Sequence, residues 1–329
     1  MKRKEKQIFK SGEKNPDGFS ELIYYPKKQK IIVLFIVITI FIGLIISALH
    51  FSGVLKWNEL LSSMGFIDGV ESVDSDFVIY YLDVAQSDCS VVVCDGDVML
   101  IDSGTKFQAH KIYESLFSMD IDHVDFLIIT HQHDDHMAGA SEILDFIDVD
   151  NILMPKLSDI NDVNSMTYQD LINKIASENI NPIAVSAGYE FSLGSSDIQI
   201  LSPSEQDDNL NNMSVVLRIS YGNTAFLFQG DAEKEVERQL MMSGYNLRAN
   251  VLKLGHHGSN TSSSESYLDT VNPDYAIISS GFDNKYGHPN TYVMERLAEK
   301  GITSYMTGIH GNIATTSDGD TVRIITFNK

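Results

Sequence analysis

The strongest pattern in the chain is one uninterrupted apolar segment near its start. Residues 31–51 carry no charge and are rich in Ile, Leu, Val and Phe. As a helix this segment is about 31 Å long, which matches the hydrocarbon thickness of a bilayer. A long polar leader precedes it, and Ile46-Ser47-Ala48 is a poor cleavage site. We therefore expect a transmembrane helix rather than a cleaved signal peptide or a buried core helix.

Further along the chain, the apolar positions form short runs that alternate with amphipathic segments. The runs predict strands at residues 77–83, 90–94, 98–102, 125–130, 151–154, 189–191, 198–202, 214–221, 224–229, 250–254 and 275–279, with more strands up to residue 327. Helices are predicted at residues 107–119, 137–147, 164–178, 232–243, 264–270 and 291–300. Two strand-rich halves that each carry helices indicate an α/β fold with four layers, αββα.

The distribution of basic residues predicts the orientation of the apolar segment. Residues 1–30 contain nine Lys or Arg, whereas residues 52–76 contain only Lys56. By the positive-inside rule the N-terminus stays in the cytoplasm and the rest of the chain lies outside. We therefore predict a cytoplasmic tail (1–30), a transmembrane helix (31–51), a juxtamembrane linker (52–76) and an extracytoplasmic domain (77–329).

The part predicted to lie outside the cell is strongly acidic. After the first 50 residues the chain holds 15 basic and 41 acidic side chains, a net charge of −26 with His neutral. Such a charge repels polyanions, so it disfavours non-specific binding of nucleic acid unless metal ions or a local basic cleft offset it. Cys89 and Cys94 lie close together on one predicted strand and are poorly placed to form a disulfide.

A cluster of metal-ligand residues follows the predicted strand at residues 125–130. Within THQHDDHMAG, residues 130–139, which we call the metal loop, the ligand-type side chains are His131, His133, Asp135 and His136. Loops at the C-terminal ends of strands commonly carry the chemistry of α/β sheets. Four such groups suit two divalent ions better than one, because a catalytic zinc ion has few protein ligands and keeps a position open for water.

Candidates for the remaining ligands stand at the ends of two later predicted strands. Asp231 follows Phe228-Gln229-Gly230, and His256-His257 follows Leu254-Gly255. A carboxylate between two ions and an imidazole on the second ion would complete a site that generates hydroxide near neutral pH. Asp231 is also suited to cap the helix that follows it.

The order of these motifs resembles the metallo-β-lactamase superfamily, a broad set of αββα hydrolases. Residues 81–88, YLDVAQSD, are similar to the Leu-Asp-Val-Gly-Gln-Gly-Asp signature of its ComEC-like branch, although Ala85 and Ser87 replace both glycines. That branch comprises the C-terminal domain of bacterial DNA-uptake channels and its stand-alone relatives. Further similar motifs lie at residues 100–104, 211–217, 256–259 and 284–289. With one predicted span, we do not expect this chain to form a DNA-translocating pore by itself.

The resemblance implies roles for individual residues. The implied metal ligands are His131, His133, Asp135, His136, Asp231 and His256, with the choice between His256 and His257 left open. The implied catalytic residues are Asp135, His257 and His288, where the two histidines contact a phosphate or protonate a leaving group. A purely structural role for both histidines remains the alternative.

The resemblance also bears on the metal ions and on Asp102. The superfamily commonly has one more His before the bridging carboxylate, and here Asn211 and Asn212 occupy that stretch. The first ion would therefore keep positions for water or substrate, and Zn²⁺ or Mn²⁺ would suit it. Asp102 is expected to orient the metal loop by contacting its ligand residues without binding the metal ions itself.

These observations favour a membrane-anchored, extracytoplasmic metallohydrolase that uses metal-activated water on a phosphodiester. DNA or another nucleic acid is the substrate that the resemblance suggests. The acidic charge favours a smaller diester instead, such as the phosphocholine or teichoic-acid group of related phosphorylcholine esterases. A non-catalytic accessory protein of a membrane complex is a third hypothesis, although structural zinc sites are usually closed and often Cys-rich. Motifs outside the metal loop make β-lactam hydrolysis a weaker expectation.

Overall fold

The computed structural model describes residues 27–52, 61, 70–155 and 165–327, in two separate units. The first unit contains helix α1 (Lys27–Phe51). Within it, Ile31–Leu49 is long and apolar enough to cross a membrane, by length and composition alone. Most of the predicted cytoplasmic tail lies outside the described residues, as do residues 53–60 and 62–69 of the predicted linker.

Two mixed β-sheets form the centre of the second unit. The strands of the first sheet are β1 Phe77–Tyr81, β2 Ser90–Cys94, β3 Asp97–Ile101, β4 His123–Ile128, β5 Asp148–Pro155, β6 Asn181–Val185, β14 Asn312–Ser317 and β15 Val322–Phe327. Those of the second are β7 Glu190–Leu193, β8 Ser196–Ser202, β9 Val216–Tyr221, β10 Thr224–Phe228, β11 Val251–Lys253, β12 Tyr275–Ile278 and β13 Thr303–Met306. The eight strands of the first sheet are in the order β15-β14-β1-β2-β3-β4-β5-β6, and the seven of the second are in the order β13-β12-β11-β10-β9-β8-β7.

Helices cover the outer face of each sheet. They are α2 Ala109–Ser118, α3 Asp134–Met137, α4 Ala140–Ile143, α5 Met166–Glu178, α6 Lys234–Met242, α7 Glu265–Val271, α8 Thr291–Glu299 and α9 Thr307–His310. Helices α2 to α5 contribute to the core outside the first sheet, and α6 to α8 to the core outside the second. A third apolar core lies between the sheets. The predicted αββα arrangement is confirmed.

Strand β1 shows why its sequence carries no polar alternation. Phe77 and its alternate neighbours belong to the core between the sheets, whereas Val78 and Tyr80 belong to the core under the helices. Alternate side chains of a strand point to opposite faces, so a strand covered on both sides is apolar throughout. The Phe77 ring stacks on Tyr221 at 4.6 Å between centroids and lies 5.0 Å from Phe226, which joins the two sheets.

Parallel pairing brings the candidate ligands to neighbouring strand ends. Strand β3 pairs in parallel with β4, and β10 with β11. The metal loop follows β4, Asp231 follows β10, and the His256-His257 pair follows β11. Because the carboxyl ends of parallel strands lie at the same edge of a sheet, all three segments are available to one site.

Two details of the structure differ from the sequence prediction. Strand β6 was not predicted, because Asn181-Pro182 interrupts its apolar pattern; at the edge of a sheet, Pro is tolerated. Of the helix predicted at residues 137–147, only α4 (Ala140–Ile143) forms beyond Met137, where the preceding short helix α3 ends; Gly139 lies between the two helices. A Cβ atom on Gly139 would lie 2.1 Å from the Ser103 carbonyl oxygen, so this close approach requires glycine.

The described end of the predicted linker packs against the second unit. Val70 is buried in the core under α2, and its N–H donates to Ser118 Oγ at 2.8 Å. The Val73 N–H donates to the Tyr80 hydroxyl at 2.7 Å. The packed structure therefore begins before Phe77. Cys89 and Cys94 are both buried and carry free thiols, as expected from their spacing.

The aromatic contact between the sheets predicts a large effect of Phe77→Ala on stability. Removing this fully buried ring leaves a cavity against Tyr221 and Phe226, so we expect a loss of about 3–5 kcal/mol in the free energy of unfolding. Urea unfolding of the full chain in detergent, followed by near-ultraviolet circular dichroism, measures this. As a control, Phe107→Ala removes a ring that is 93% exposed and should change stability by less than about 0.5 kcal/mol. Equal losses in the two variants would contradict the prediction.

Candidate metal centre

The metal loop is fixed at its base by Asp102, at the end of β3. The Thr130 N–H donates to Asp102 Oδ1 at 2.7 Å, and the Thr130 hydroxyl donates to Oδ2 at 2.8 Å. His136 Nδ1 lies 2.7 Å from Asp102 Oδ2. This bond favours a proton on Nδ1 and leaves Nε2 of His136 free to face Asp231, whose Oδ1 is 3.3 Å away. Asp102 thus lies where the sequence predicts, behind the loop.

A first group of ligand-type atoms contains His131, His133 and Asp231, all within 4.8 Å of one another. His131 Nε2 lies 3.0 Å from His133 Nδ1 and 3.8 Å from Asp231 Oδ2. Ser214 holds the carboxylate in place, since its hydroxyl accepts from the Asp231 N–H at 2.9 Å. Two imidazoles and one carboxylate are a donor set that suits a divalent cation.

A second group contains Asp135, His136 and His257, again within 4.8 Å of one another. His257 Nε2 lies 3.4 Å from Asp135 Oδ2 and 3.9 Å from Asp231 Oδ2. Nδ1 of His257 lies 2.9 Å from the Ser279 carbonyl oxygen, to which it donates, so Nε2 is the nitrogen directed into the site. Asp231 therefore stands between the two groups.

The structure distinguishes the two adjacent histidines. His257 is buried and belongs to the second group, whereas His256 belongs to neither group. His256 Nε2 lies 3.7 Å from Asp231 Oδ2, but its Nδ1 is 3.0 Å from the Thr261 hydroxyl. Both histidines have a positive φ, 50° and 53°, so the backbone turns sharply and presents the two rings differently. The geometry thus favours His257 over His256 as the imidazole of the second group.

The buried polar atoms of the site fit divalent cations. His136 Nε2, His257 Nε2 and Asp231 Oδ1 are buried and have no hydrogen-bond partner among the described residues. Buried polar atoms in folded proteins nearly always have a partner, so three unpartnered atoms directed at one another require an explanation. Ligation of metal ions supplies it, because all three are nitrogen or carboxylate donors.

The protonation of the site follows from its burial and its carboxylates. Burial lowers the pKa of His131 well below its ordinary value, which keeps the ring neutral and able to bind a cation. Burial also acts to lower the pKa of His136, but Asp231 and Asp102 outweigh it and raise that pKa well above its ordinary value. Burial acts to raise the pKa of Asp231, yet His136 and His257 hold it well below its ordinary value. The cluster thus attracts positive charge.

Lys253 is a site residue that the sequence analysis missed. Its Nζ donates to Asp88 Oδ2 at 2.7 Å, and both side chains are buried. Asp88 lies with Asp102 and His136 in a third group of ligand-type atoms. Lys253 ends strand β11 of the second sheet, and Asp88 precedes β2 of the first, so this ion pair links the sheets beneath the site. A lysine at the end of a buried strand, separated from the His pair only by Leu254 and Gly255, was the available signal.

Asn211 and Asn212 occupy different environments. The Asn212 amide is fully used, because its oxygen accepts from the Glu233 N–H and its nitrogen donates to Asp207. Asn211 donates to the Glu233 carboxylate, while its own Oδ1 is buried without a partner among the described residues. Of the two, Asn211 has the free oxygen.

His288 lies next to His256. The two rings are 5.7 Å apart in an edge-to-face arrangement. Burial and the nearby His256 and His257 lower the pKa of His288, so its imidazole is neutral at ordinary pH. His288 Nδ1 is buried without a hydrogen-bond partner in the described part of the chain.

Comparison with known proteins agrees with this geometry. The sequence model of the metallo-β-lactamase superfamily matches residues 82–160. The chain is 32% identical to ComE operon protein 3 of Bacillus subtilis (strain 168) over 60% of its length, and 44% identical to the competence protein ComA of Neisseria gonorrhoeae over 35% of its length. It spans only 25% and 17% of these relatives' own lengths.

A solved structure shows the same fold. CmlA, a diiron β-hydroxylase from Streptomyces venezuelae, aligns with a TM-score of 0.51 and 15% identity, over 82% of this chain and 59% of its own. At this identity the likeness concerns the fold alone. With the superfamily motifs, two sheets between helices and two groups of ligand-type atoms, the chain carries a metallo-β-lactamase domain that is similar to the ComEC-like competence proteins.

Proposed function

We propose that the protein is a membrane-anchored, extracytoplasmic, metal-dependent phosphodiesterase that acts on nucleic acid. The observation that carries this proposal is the position of Asp231 between two groups of metal-ligand atoms. Pairs of metal ions that share a carboxylate are typical of enzymes that cleave phosphate esters. The domain has a metal-dependent hydrolase fold, and the competence protein among its relatives supports a substrate that is nucleic acid.

The first ion would be held by His131, His133 and Asp231, and the second by Asp135, His136 and His257, with Asp231 shared. Bound there, divalent ions polarise phosphoryl oxygens and lower the pKa of water so that it becomes a nucleophile near neutral pH. A donor set of imidazole and carboxylate without Cys is compatible with Zn²⁺ or Mn²⁺.

The chain's own residues then orient the substrate and move protons. Asp135 is partly exposed and lines an open groove, so its carboxylate can accept a proton from water at the edge of the site. Asp102 holds the His136 ring in one orientation. The neutral His288 ring can donate a hydrogen bond to a phosphate oxygen, which would stabilise charge there.

The proposed location combines helix α1 with the distribution of charge. Ile31–Leu49 is a candidate membrane span, and the basic residues of the chain's start lie on its N-terminal side. The positive-inside rule then supports a catalytic domain outside the cytoplasm. A membrane complex with a separate DNA-uptake channel is the partner that this location and the competence relatives favour.

Substitution of a proposed metal ligand should abolish phosphodiester hydrolysis. Loss of a residue that hydrogen-bonds to a metal ligand typically lowers metal affinity or activity 10- to 100-fold. Because His131→Ala removes a ligand itself, it should reduce the rate of hydrolysis to below about 1% of the wild-type rate. The full chain in detergent, loaded with Mn²⁺ or Zn²⁺, is assayed on bis-p-nitrophenyl phosphate and single-stranded DNA. His110→Ala is the matched control, because this histidine belongs to no ligand group and is exposed.

The outcome of that assay also separates the competing functions. Preferential cleavage of a p-nitrophenyl phosphocholine substrate would favour the esterase hypothesis. No hydrolysis of any diester, no retained metal and a melting temperature unaffected by chelators would favour an accessory protein. Equal rates for the wild type and His131→Ala would reject the metal-dependent mechanism.

His257 and His256 should differ in their effect on metal content. Because His257 lies with Asp135 and His136, His257→Ala should lower the bound metal from about two ions per chain towards one. His256→Ala should leave the metal content unchanged and serves as the neighbouring control. Inductively coupled plasma mass spectrometry of the purified variants measures both. The opposite pattern would assign the second ion to His256.

Asp102 should act on metal affinity through His136. Asp102→Asn keeps the shape of the side chain but removes the charge that orients the His136 ring, so we expect metal affinity to fall about 10- to 100-fold. Competition with a chelating dye measures the affinity. Asp148→Asn, at an exposed carboxylate on β5 that belongs to no ligand group, controls for a general effect of charge. An unchanged affinity in Asp102→Asn would show that Thr130 alone holds the loop.

A further inference from the structure

An open groove of about 720 Å³ adjoins the metal centre. Asp135, a member of the second ligand group, lies at its inner end, and residues 281–286 form one wall. Ala85, Gln86 and Thr105 also line the groove and contribute small or uncharged side chains. A substrate whose phosphodiester reaches the ligand groups would therefore extend along this groove.

Two aromatic side chains of the wall are exposed. Phe282 is 78% exposed and Tyr286 is 59% exposed, and both line the groove. A single exposed ring on a protein surface needs no explanation. Here, however, two rings stand on one short loop beside a candidate catalytic centre. Exposed rings in such a position provide flat surfaces for a planar ligand.

The loop that carries the rings is held rigidly. Asn284 Oδ1 accepts from the backbone N–H of Tyr286 at 3.2 Å and of His288 at 3.0 Å, and its Nδ2 donates to the Gly281 carbonyl at 2.9 Å. Gln86, which also lines the groove, accepts through its Oε1 from the Gly281 N–H at 3.2 Å. The backbone is thus fixed before any ligand arrives, which reduces the entropy lost on binding.

A row of rings connects the groove with the metal centre. Tyr286 stacks on His288 with centroids 6.0 Å apart, and His288 lies 5.7 Å from His256. Lys285 Nζ lies over the Tyr286 ring, 5.0 Å from its centre, and so places a positive charge beside this ring. A planar group stacked here would place the phosphate attached to it between this lysine and the metal centre.

The charges of the groove limit how a nucleic acid could bind. Asp134, Asp135 and Asp283 face one cation, Lys285, so the groove cannot follow a phosphate backbone by charge alone. Stacking does not depend on charge and accepts any base. The faces of bases in a duplex are covered by their neighbours, whereas those of a single strand are free.

We infer that Phe282 and Tyr286 form a stacking subsite for an unpaired nucleobase next to the phosphodiester that is cleaved, with Lys285 contacting a neighbouring phosphate. This inference rests on the proposed phosphodiesterase function and specifies its substrate class as single-stranded nucleic acid. Tyr286 and Phe282 bind the base, and the ligand groups around Asp231 receive the phosphate.

Binding to an uncharged probe tests the subsite separately from catalysis. The probe is a fluorescent thymidine hexamer with methylphosphonate linkages, which resists hydrolysis and carries no backbone charge; its partner has the same backbone without bases. We expect the full chain in detergent to bind the base-bearing probe at least about tenfold more tightly. Tyr286→Ala and Phe282→Ala should each weaken that binding about 5- to 100-fold and leave binding of the abasic probe unchanged.

Three further variants and one competitor make the test specific. Tyr286→Trp should retain binding of the base-bearing probe, because it restores a flat ring. Tyr292→Ala is the control, since this ring is 67% exposed but lies outside the groove, and it should bind like the wild type. Lys285→Ala should weaken binding of a phosphodiester hexamer but not of the uncharged probe. A poly(glycerol phosphate) competitor, which has no rings, should not displace the uncharged probe.

The outcomes separate this inference from the proposed function. Equal affinity for the base-bearing and abasic probes, or displacement by poly(glycerol phosphate), would overturn the stacking subsite even if bis-p-nitrophenyl phosphate is cleaved. Conversely, ring-dependent binding in a protein that cleaves no diester would support the subsite and reject the phosphodiesterase. Weaker binding of both probes in Tyr286→Ala would reveal a general disruption of the loop and also overturn the inference.

Discussion

The balance of charge in a buried cluster of carboxylates is the constraint on which the site depends. Asp88, Asp102 and Asp231 are all buried within one small region, and a buried carboxylate is stable only when it is paired. Lys253 balances Asp88, and His136 with Thr130 balances Asp102. Asp231 lies close to His131, His136 and His257, and its Oδ1 has no hydrogen-bond partner among the described residues. This carboxylate, whose neighbours are themselves ligand-type side chains, is where divalent cations fit.

The two sheets must meet closely for this balance to exist. Asp88 and Asp102 come from the first sheet, whereas Asp231 and Lys253 come from the second. The aromatic contact of Phe77 with Phe226 and the Lys253–Asp88 ion pair both join the two sheets. At the site the backbone adopts costly conformations, with a positive φ at Asp102 and at both adjacent histidines. Such strain persists only where the surrounding packing determines it.

The sequence predicted the parts of the site that depend on local spacing. The loop from His131 to His136 has ligand spacing within six residues, and Asp231 stands at a strand end, so both were recognisable. The direction of the His257 ring was not, because it depends on a bond from His257 Nδ1 to the Ser279 carbonyl, 22 residues away. Lys253 was missed for the same reason, since its partner Asp88 is 165 residues distant.

The fold shows the same limit of sequence patterns. The αββα layers follow from alternating strands and helices, which are local signals. Strand β6 escaped because Asn181-Pro182 forms a strand only by pairing in parallel with β5 at the edge of the sheet. The break at Gly139 depends on contact with the Ser103 carbonyl. Burial, pairing and close approach between distant residues were thus the features that the sequence could not supply.

The acidity of the domain and a nucleic-acid substrate are compatible once distance is considered. The Debye length is about 8 Å at physiological ionic strength, so exposed carboxylates far from the groove are largely screened. The charges that a bound strand would meet are those of the groove, where three carboxylates face Lys285 and the ions expected near Asp231. Because Asp135 would itself be neutralised as a ligand, the remaining repulsion comes from Asp134 and Asp283. A site of this kind would bind nucleic acid through its bases and through one phosphate at the metal centre, and it would therefore exclude long duplexes and admit a single strand.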